Sequence, residues 1–307
     1  MLRYATGRLL GLIPTLFVIV TFAFFVMRLA PGGPFDEEQA LPPEIAANLQ
    51  AAYGLDQPML VQYGRYLAGL AHGDLGPSFK YKDYRVDELI ARGLPVTLTI
   101  GVLALLLTVA FGVPLGFAAG LHHDGWPDRL LMGAALVGIA LPGFVVAPVL
   151  ALLFGVQLAW LPVAGWEPYD VRYLILPVIT LALPFIAYVA RLTRGSLLEV
   201  LQAPYLRAAR AKGLSRSVLL RRHALKPTLL PVVSYLGPAT AALLTGSLVV
   251  EQVFSLPGVG RYFVQGAINR DYTLVMGMVI FYAVLILVLN LVVDLLYGWL
   301  DPRIRHA

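Results

Sequence analysis

Residues able to do chemistry are scarce in this chain, and those that gather lie in one basic stretch, Glu199–Pro231, which reads EVLQAPYLRAARAKGLSRSVLLRRHALKPTLLP. Between Arg191 and Pro227 stand nine Lys or Arg and a single acid, Glu199. The stretch holds no nucleophile with a base and no metal-ligand set, so its chemistry is that of charge and shape. Pro204 cannot continue a helix but suits the start of one, and a helix is predicted over Tyr205–Lys212, about 12 Å long at the helical rise. Gly213 offers a left-handed cap, and Ser215 is positioned to cap a second short helix through His223. Ala208, Ala209 and Ala211 leave part of the first helix bare, flanked by Arg207, Arg210 and Lys212. Two readings follow from these residues. One is a basic helix held on the anionic inner leaflet by about 1 kcal/mol per cation. The other is a compact knob that enters a groove of a partner protein. The alanine-rich, glycine-stopped middle lacks the broad apolar face that the leaflet reading needs.

Other chemistries find no motif. There is no GxxxxGK[ST] phosphate loop for nucleotide hydrolysis. Pro257–Gly260, PGVG, begins like a dinucleotide fingerprint, but Phe263 stands where its last glycine belongs. The five histidines form no HExxH, and His122–His123 reads as a solvated pair in a polar turn. With no cysteine, disulfides, thiolate metal sites and thiol nucleophiles are excluded. Ion-coupled transport calls for ionisable groups at membrane depth. Asp294 and Arg28 read instead as interfacial, near the ends of apolar segments.

The elements that must position the loop are apolar. Of 307 residues, 59% are apolar and 13% charged, against roughly 45–50% and 25% in soluble domains. Mean hydropathy is +0.76. These values exclude a soluble globular domain and a disordered chain, and they predict an integral membrane protein. Six segments reach spanning length: Leu9–Met27, Pro95–Leu121, Leu130–Val156, Tyr173–Ala190, Thr228–Val250 and Leu274–Leu296. Their prolines are tolerated in packed membrane helices, and Trp126, Trp160, Trp166 and Trp299 fall at segment ends, where an aromatic belt lies. The expected fold is all-α and polytopic, with six transmembrane helices.

The basic loop is cytoplasmic by the positive-inside rule, and both termini with it. The Ala30–Leu94 segment then lies outside, its nine acids and five bases giving −4. No A-x-A site precedes PGGP, and the first helix reads as uncleaved. Outside, short helices are predicted over Pro42–Tyr53, closed by Gly54, and over Pro58–His72, with Asp56 as a cap and Gly73 past the end. The chain thus divides into 1–29, the N-terminus and first helix; 30–94, an extracytoplasmic helical segment; and 95–307, a five-helix core that includes the loop 191–227.

The loop resembles the EAA motif of ABC-importer permeases, with Ala208, Ala209 and Gly213 at the motif's alanine pair and glycine. Arg207 stands near the place of the glutamate that names it. YLRAARAKGLSRS is similar to the dipeptide/oligopeptide/nickel-type permeases in particular. The likeness extends to RLAPGGP, YGLDQPMLVQYGRYLAGLAHGDLGPSF, GLPVTLTI, EQVFSLPGVGRYFVQGAINRDY and the closing DPRIR, with Gly33 in place of the family's usual aspartate in PGDP. The resemblance implies an ABC importer type I permease fold and a permease subunit that translocates dipeptides or oligopeptides. It implies a heterodimer with a second homologous permease subunit, two cytoplasmic ABC ATPases, an extracytoplasmic binding protein and a bacterial or archaeal cytoplasmic membrane. ATP and Mg would be held by the partner subunits, with no cofactor, metal, catalytic group or nucleic acid belonging to this chain. Coupling to the ATPases falls to Tyr205, Arg207, Ala208, Ala209, Lys212, Gly213 and Leu214. Tyr63, Tyr66 and Asp74 are expected on the binding-protein side, or packed on the chain itself, and Glu251, Gln252 and Arg261 at an outer gate. A nickel or glutathione importer of the same family, and a stand-alone ion-coupled secondary transporter, are the alternatives.

Overall fold

The structure is a computed structural model that describes residues 2–29, 54–81, 83–245 and 247–300, with side chains described from residue 10 to residue 292. The expected helix Pro42–Tyr53, the PGGP corner with Gly33, the DPRIR end and the side chain of Asp294 lie outside the described residues. Among the described residues the chain is helical, apart from one isolated bridge between Pro77 and Arg85. The helices are α1 (Leu2–Leu29), α2 (Met59–Ala71), α3 (Val86–Leu121), α4 (Trp126–Ala140), α5 (Gly143–Leu150), α6 (Arg172–Gln202), α7 (Pro204–Ala211), α8 (Arg216–Val218), α9 (Leu225–Thr245), α10 (Leu248–Val253), α11 (Val259–Ile268) and α12 (Tyr272–Leu300).

Among the described residues, five stretches are long and apolar enough to cross a membrane, or six if one bent pair is a single span. That pair is the expected third span. It breaks at Leu141–Pro142, and its two halves, Trp126–Ala140 and Gly143–Gln157, meet at 105°. Pro142 adopts φ −63° and ψ 142° there, the extended state its ring permits but a helix does not. Its second half ends in a wider turn, Ala151–Gln157, where the Leu158 N–H reaches the carbonyl five residues back. The second span is longer than expected, since Val86–Leu121 runs unbroken through Pro95. Likewise the fourth extends well past Ala190 to Gln202.

The chain forms two compact units, one from 1–96 and 257–288, the other from 97–256 and 289–307. In the first, α2 lies on the end of α1. Phe24, 1% exposed, sits with its ring centroid 5.2 Å from Tyr63 and 5.9 Å from Tyr66. The Tyr63 hydroxyl lies 2.6 Å from Thr21 Oγ1. Pro58, not Asp56, precedes the first helical residue; no side chain caps it, and the Gln62 amide instead bonds the Leu55 and Gln57 carbonyls. The turn Gly73–Phe79 that follows is fastened by Asp271, which is fully buried. Its Oδ2 accepts the Ser78 hydroxyl at 2.5 Å and the amides of Phe79 and Lys80 at 3.1 and 3.2 Å. The other oxygen accepts the Leu274 amide at 3.0 Å and so caps α12.

In the second unit, α6 packs on α4 and α9. Glycines at every fourth position of α3 (Gly112, Gly116 and Gly120) admit α6 at close range. A methyl at Gly112 would stand 2.8 Å from Val189 Cβ, and one at Gly120 would stand 2.9 Å from Leu197 Cδ2. Helices in lipid associate through close backbone contact of this small-xxx-small kind. Where α4 begins, Asp128 is 3% exposed, and both its oxygens are held by the guanidinium of Arg194 on α6, at 2.5 and 2.7 Å.

Candidate functional site

The basic loop folds as a short capped helix resting on the ends of two long ones. α7 occupies Pro204–Ala211, one residue earlier at each end than the predicted Tyr205–Lys212. Ala203 precedes it in extended conformation, φ −63° and ψ 141°, as the residue before proline must. At the other end, Gly213 has φ +80°, and its N–H bonds the Arg210 carbonyl at 3.0 Å. The Leu214 N–H reaches back to Ala209 at 3.4 Å. This pair of bonds is the Schellman arrangement, which requires the left-handed conformation that glycine adopts without a Cβ penalty.

One side chain anchors the knob. Leu206, 5% exposed, enters a cluster with Leu197 of α6 and with Leu219 and Ala224, packed on by Phe117, Leu121 and Ala209. Beside it is a cavity of about 440 Å³ lined by Leu121, Leu201, Leu206, Arg210 and Leu219 among others. Arg207 folds back so that its Nε and a terminal nitrogen donate to the Gln202 carbonyl at 3.2 and 2.9 Å. The cation thereby satisfies the exposed C-terminal carbonyl of α6. Tyr205, Ala208, Arg210, Lys212 and Leu214 are exposed, and Ala209 is half-buried. The outward surface is therefore a small apolar crown ringed by cations.

The second short helix is not a separate element. Ser215 takes the N-cap position, with φ −64° and ψ 152°, but its side chain makes no capping bond. From Arg216 the helix widens through Leu219–Ala224 into a π turn and passes directly into α9 at Leu225. The knob is thus joined to α6 through one extended residue, Ala203, and on the other side through the turn Lys212–Ser215 to a helix that runs on from Arg216 into α9.

The remaining site candidates lie elsewhere. Tyr63 and Tyr66 are half-buried against α1, and burial raises the Tyr66 hydroxyl above the ordinary phenol range. Asp74 accepts the Gly76 amide at 2.7 Å and pairs with Arg85 at 2.8 Å. Glu251 is fully buried on α10, accepting from Thr97 at 2.8 Å and Ser247 at 2.5 Å. Gln252 follows it on α10, whereas Arg261 belongs to the other unit, on α11. His123, Asp124 and Asp128 bring potential ligand atoms within 4.8 Å of one another. The Asp128 oxygens are already engaged by Arg194, so the group reads as an ion pair with a histidine beside it. Sequence reasoning missed Asp128, Arg194 and Asp271. A lone acid one residue after Trp126–Pro127 was the available signal for the first of these.

Two family descriptions match the chain: binding-protein-dependent transport system inner membrane component over residues 112–306, and the N-terminal part of such membrane components over residues 1–101. This chain belongs to that family of inner-membrane transport components. It is 50% identical to the oligopeptide transport system permease protein OppB of Salmonella typhimurium over 306 residues, 100% of both chains. It is 40% identical to the dipeptide transport system permease protein DppB of Bacillus subtilis, over 99% of this chain and 98% of that one. Among solved structures, the MetNI methionine ABC transporter in inward-facing conformations matches with TM-score 0.56 at 17% identity, over 69% of this chain and 96% of that chain. An amino acid ABC transporter crystallised with histidines gives 0.52 at 21%, over 71% and 94%. The permease fold expected from the sequence is the one these structures share.

Proposed function

We propose that this permease is one of two nonidentical membrane subunits of an ATP-driven importer that carries peptides across the cytoplasmic membrane. An extracytoplasmic binding protein delivers the peptide, and two cytoplasmic ATPases hold ATP and Mg. Full-length identity of 50% and 49% to oligopeptide permeases, against 40% and 37% to dipeptide permeases, supports peptides and favours longer ones. It gives no support to the nickel or glutathione alternatives. Both termini and α7 face the cytoplasm in this reading, and Ala30–Leu94 faces outside.

The observation that carries the reading is the anchored knob at Pro204–Ala211. ATP-driven closure must enter the membrane subunit through an element that does not yield, and α7 is short, capped at Gly213, set one residue from α6 and pinned by Leu206 against Leu197, Leu219 and Ala224. Its exposed Ala208 permits close approach, and Arg210 and Lys212 offer charge to an acidic groove. Movement of α7 then rocks α6 and α9, so that the pathway faces alternately outward and inward. Glu251 and Gln252, adjacent on α10, serve the outer closure.

Reconstitution of the permease with its membrane partner, the ATPases and the binding protein in proteoliposomes tests the proposal. Peptide uptake should require ATP and the binding protein. Uptake by the permease alone under a proton or sodium gradient, without nucleotide, would establish the secondary transporter instead.

A further inference from the structure

A cavity of about 300 Å³ lies within the first unit, where the end of α1, the face of α2 and the start of α12 meet. Its walls include Phe24 and Arg28 of α1, Gln62 and Tyr66 of α2, Asp74 and Met276. The Arg28 guanidinium lies over the rings of Phe24 and Tyr272, 5.4 and 5.8 Å from their centroids. Ring faces attract the cation, but they offer no acceptor for its N–H groups. Arg28 Nε, the Tyr66 hydroxyl and Gln62 Oε1 are all buried and make no hydrogen bond. Asp74 turns its Oδ1 to the Gly76 amide and to Arg85, and no hydrogen bond or ion pair joins it to Arg28.

Native interiors rarely leave such groups alone, since each costs about 1–3 kcal/mol and a charged one more. Three in one cavity describe a ligand. It carries an anionic oxygen to accept from Arg28 and Tyr66, and it carries a donor for Gln62. Burial keeps the Tyr66 hydroxyl protonated, which suits it to donate. The depth of the cavity narrows the ligand further. Arg28 is the last residue but one of the apolar span Leu10–Leu29, so its guanidinium stands where hydrocarbon gives way to headgroups. The face of α1 that carries Phe24 and Arg28 exposes Leu10 (68%), Ile13 (66%) and Phe17 (53%) farther along the helix, a surface for acyl chains.

We propose that this cavity seats the phosphodiester headgroup of a phospholipid, with its acyl chains along α1. The phosphate accepts from Arg28 and Tyr66, an ammonium or hydroxyl of the headgroup donates to Gln62, and Phe24 and Met276 border the first methylenes. Assignment to the outer leaflet rests on the orientation proposed above. The site itself does not.

The test is native mass spectrometry of the assembled transporter, delipidated and titrated with a short-chain phosphatidylethanolamine. Arg28→Gln should bind the lipid about tenfold more weakly, as for one lost charge-assisted hydrogen bond. Tyr66→Phe should show a smaller loss, and Arg92→Gln, an exposed arginine stacked on Tyr84, should match wild type. Equal binding by the Arg28→Gln and Arg92→Gln proteins would overturn the proposal. Displacement of the lipid by equimolar inorganic phosphate or by trialanine would overturn it too, assigning the cavity to a soluble anion or to the transported solute. If Arg28→Gln does not assemble, Tyr66→Phe is read in its place: weaker binding than Arg92→Gln supports the site, and equal binding overturns it. Peptide uptake measured on the same preparation separates failure of the lipid site from failure of the transport reading.

Discussion

Leu206→Ala removes the single deeply buried side chain that holds α7 to the helices beside it. Burying a leucine and then truncating it costs about 2–5 kcal/mol, depending on how well the site collapses. Here the adjoining cavity of about 440 Å³ already borders Leu206, so the truncated atoms forfeit fewer neighbours and the low end applies, about 2 kcal/mol. At about 1.4 kcal/mol per tenfold, the ratio of seated to unseated α7 falls by about 30-fold. The long helices do not depend on this contact, so membrane insertion and subunit assembly should survive. The assay is simultaneous measurement of ATP hydrolysis and peptide uptake in proteoliposomes, expressed as peptide moved per ATP. That ratio should fall several-fold in Leu206→Ala, whereas Leu225→Ala, at a residue 39% exposed, should leave it alone. An unchanged ratio in Leu206→Ala, with the variant shown to be folded, would refute α7 as a rigid transmitter.

Four further outcomes are expected. Asp271→Ala removes the acceptor for Ser78, Phe79, Lys80 and Leu274, so amide exchange at residues 78–81 should accelerate by about 100-fold, as for losing about 3 kcal/mol of charged hydrogen bonds. Asp128→Asn leaves Arg194 half-paired and should destabilise by about 3 kcal/mol; the double variant with Arg194→Gln should recover part of the lost melting temperature, and strict additivity would mean the pair is uncoupled. Gly116→Val forces a side chain into the Ala190 carbonyl and Thr193, and should lower the melting temperature by an overpacking cost of about 3 kcal/mol. Because the chain has no cysteine, Ala208→Cys and Tyr169→Cys report sidedness directly. Impermeant maleimide applied outside should label position 169, where the tyrosine is fully exposed, and should spare position 208 until the membrane is opened.

What could be read from the sequence was local. Pro204 and Gly213 bracket eight residues, and each acts through its own backbone preference, so α7 emerged within one residue at either end. Span existence followed from apolar run length, which needs no partner. Contacts between distant residues had no such signal: Asp271 and Ser78 are 193 positions apart, and neither type announces the other. The break of the third span was marked only by Pro142, and prolines in other spans, such as Pro95 in α3, leave the helix continuous. What distinguishes them is the packing around each, which composition does not carry. The glycine series at 112, 116 and 120 was legible in GVPLGFAAG, though its partner α6 was not. Of the coupling candidates, Leu214 and Ala208 were named for a motif, whereas the anchoring role of Leu206 emerged only from its burial.

The π turn at Leu219–Ala224 sets the azimuth at which α9 carries the knob. A π turn accommodates one residue more than the α-helix it interrupts, and each helical residue advances the chain by about 100°. Removing a single residue between 219 and 224 would regularise the helix and leave its flanks in phase, whereas removing one from the α-helical turns of α9 would swing everything before it by about that angle. The coupling element and the fifth span are therefore phased like gear teeth: the π turn holds one spare residue, and the α-helix after it holds none.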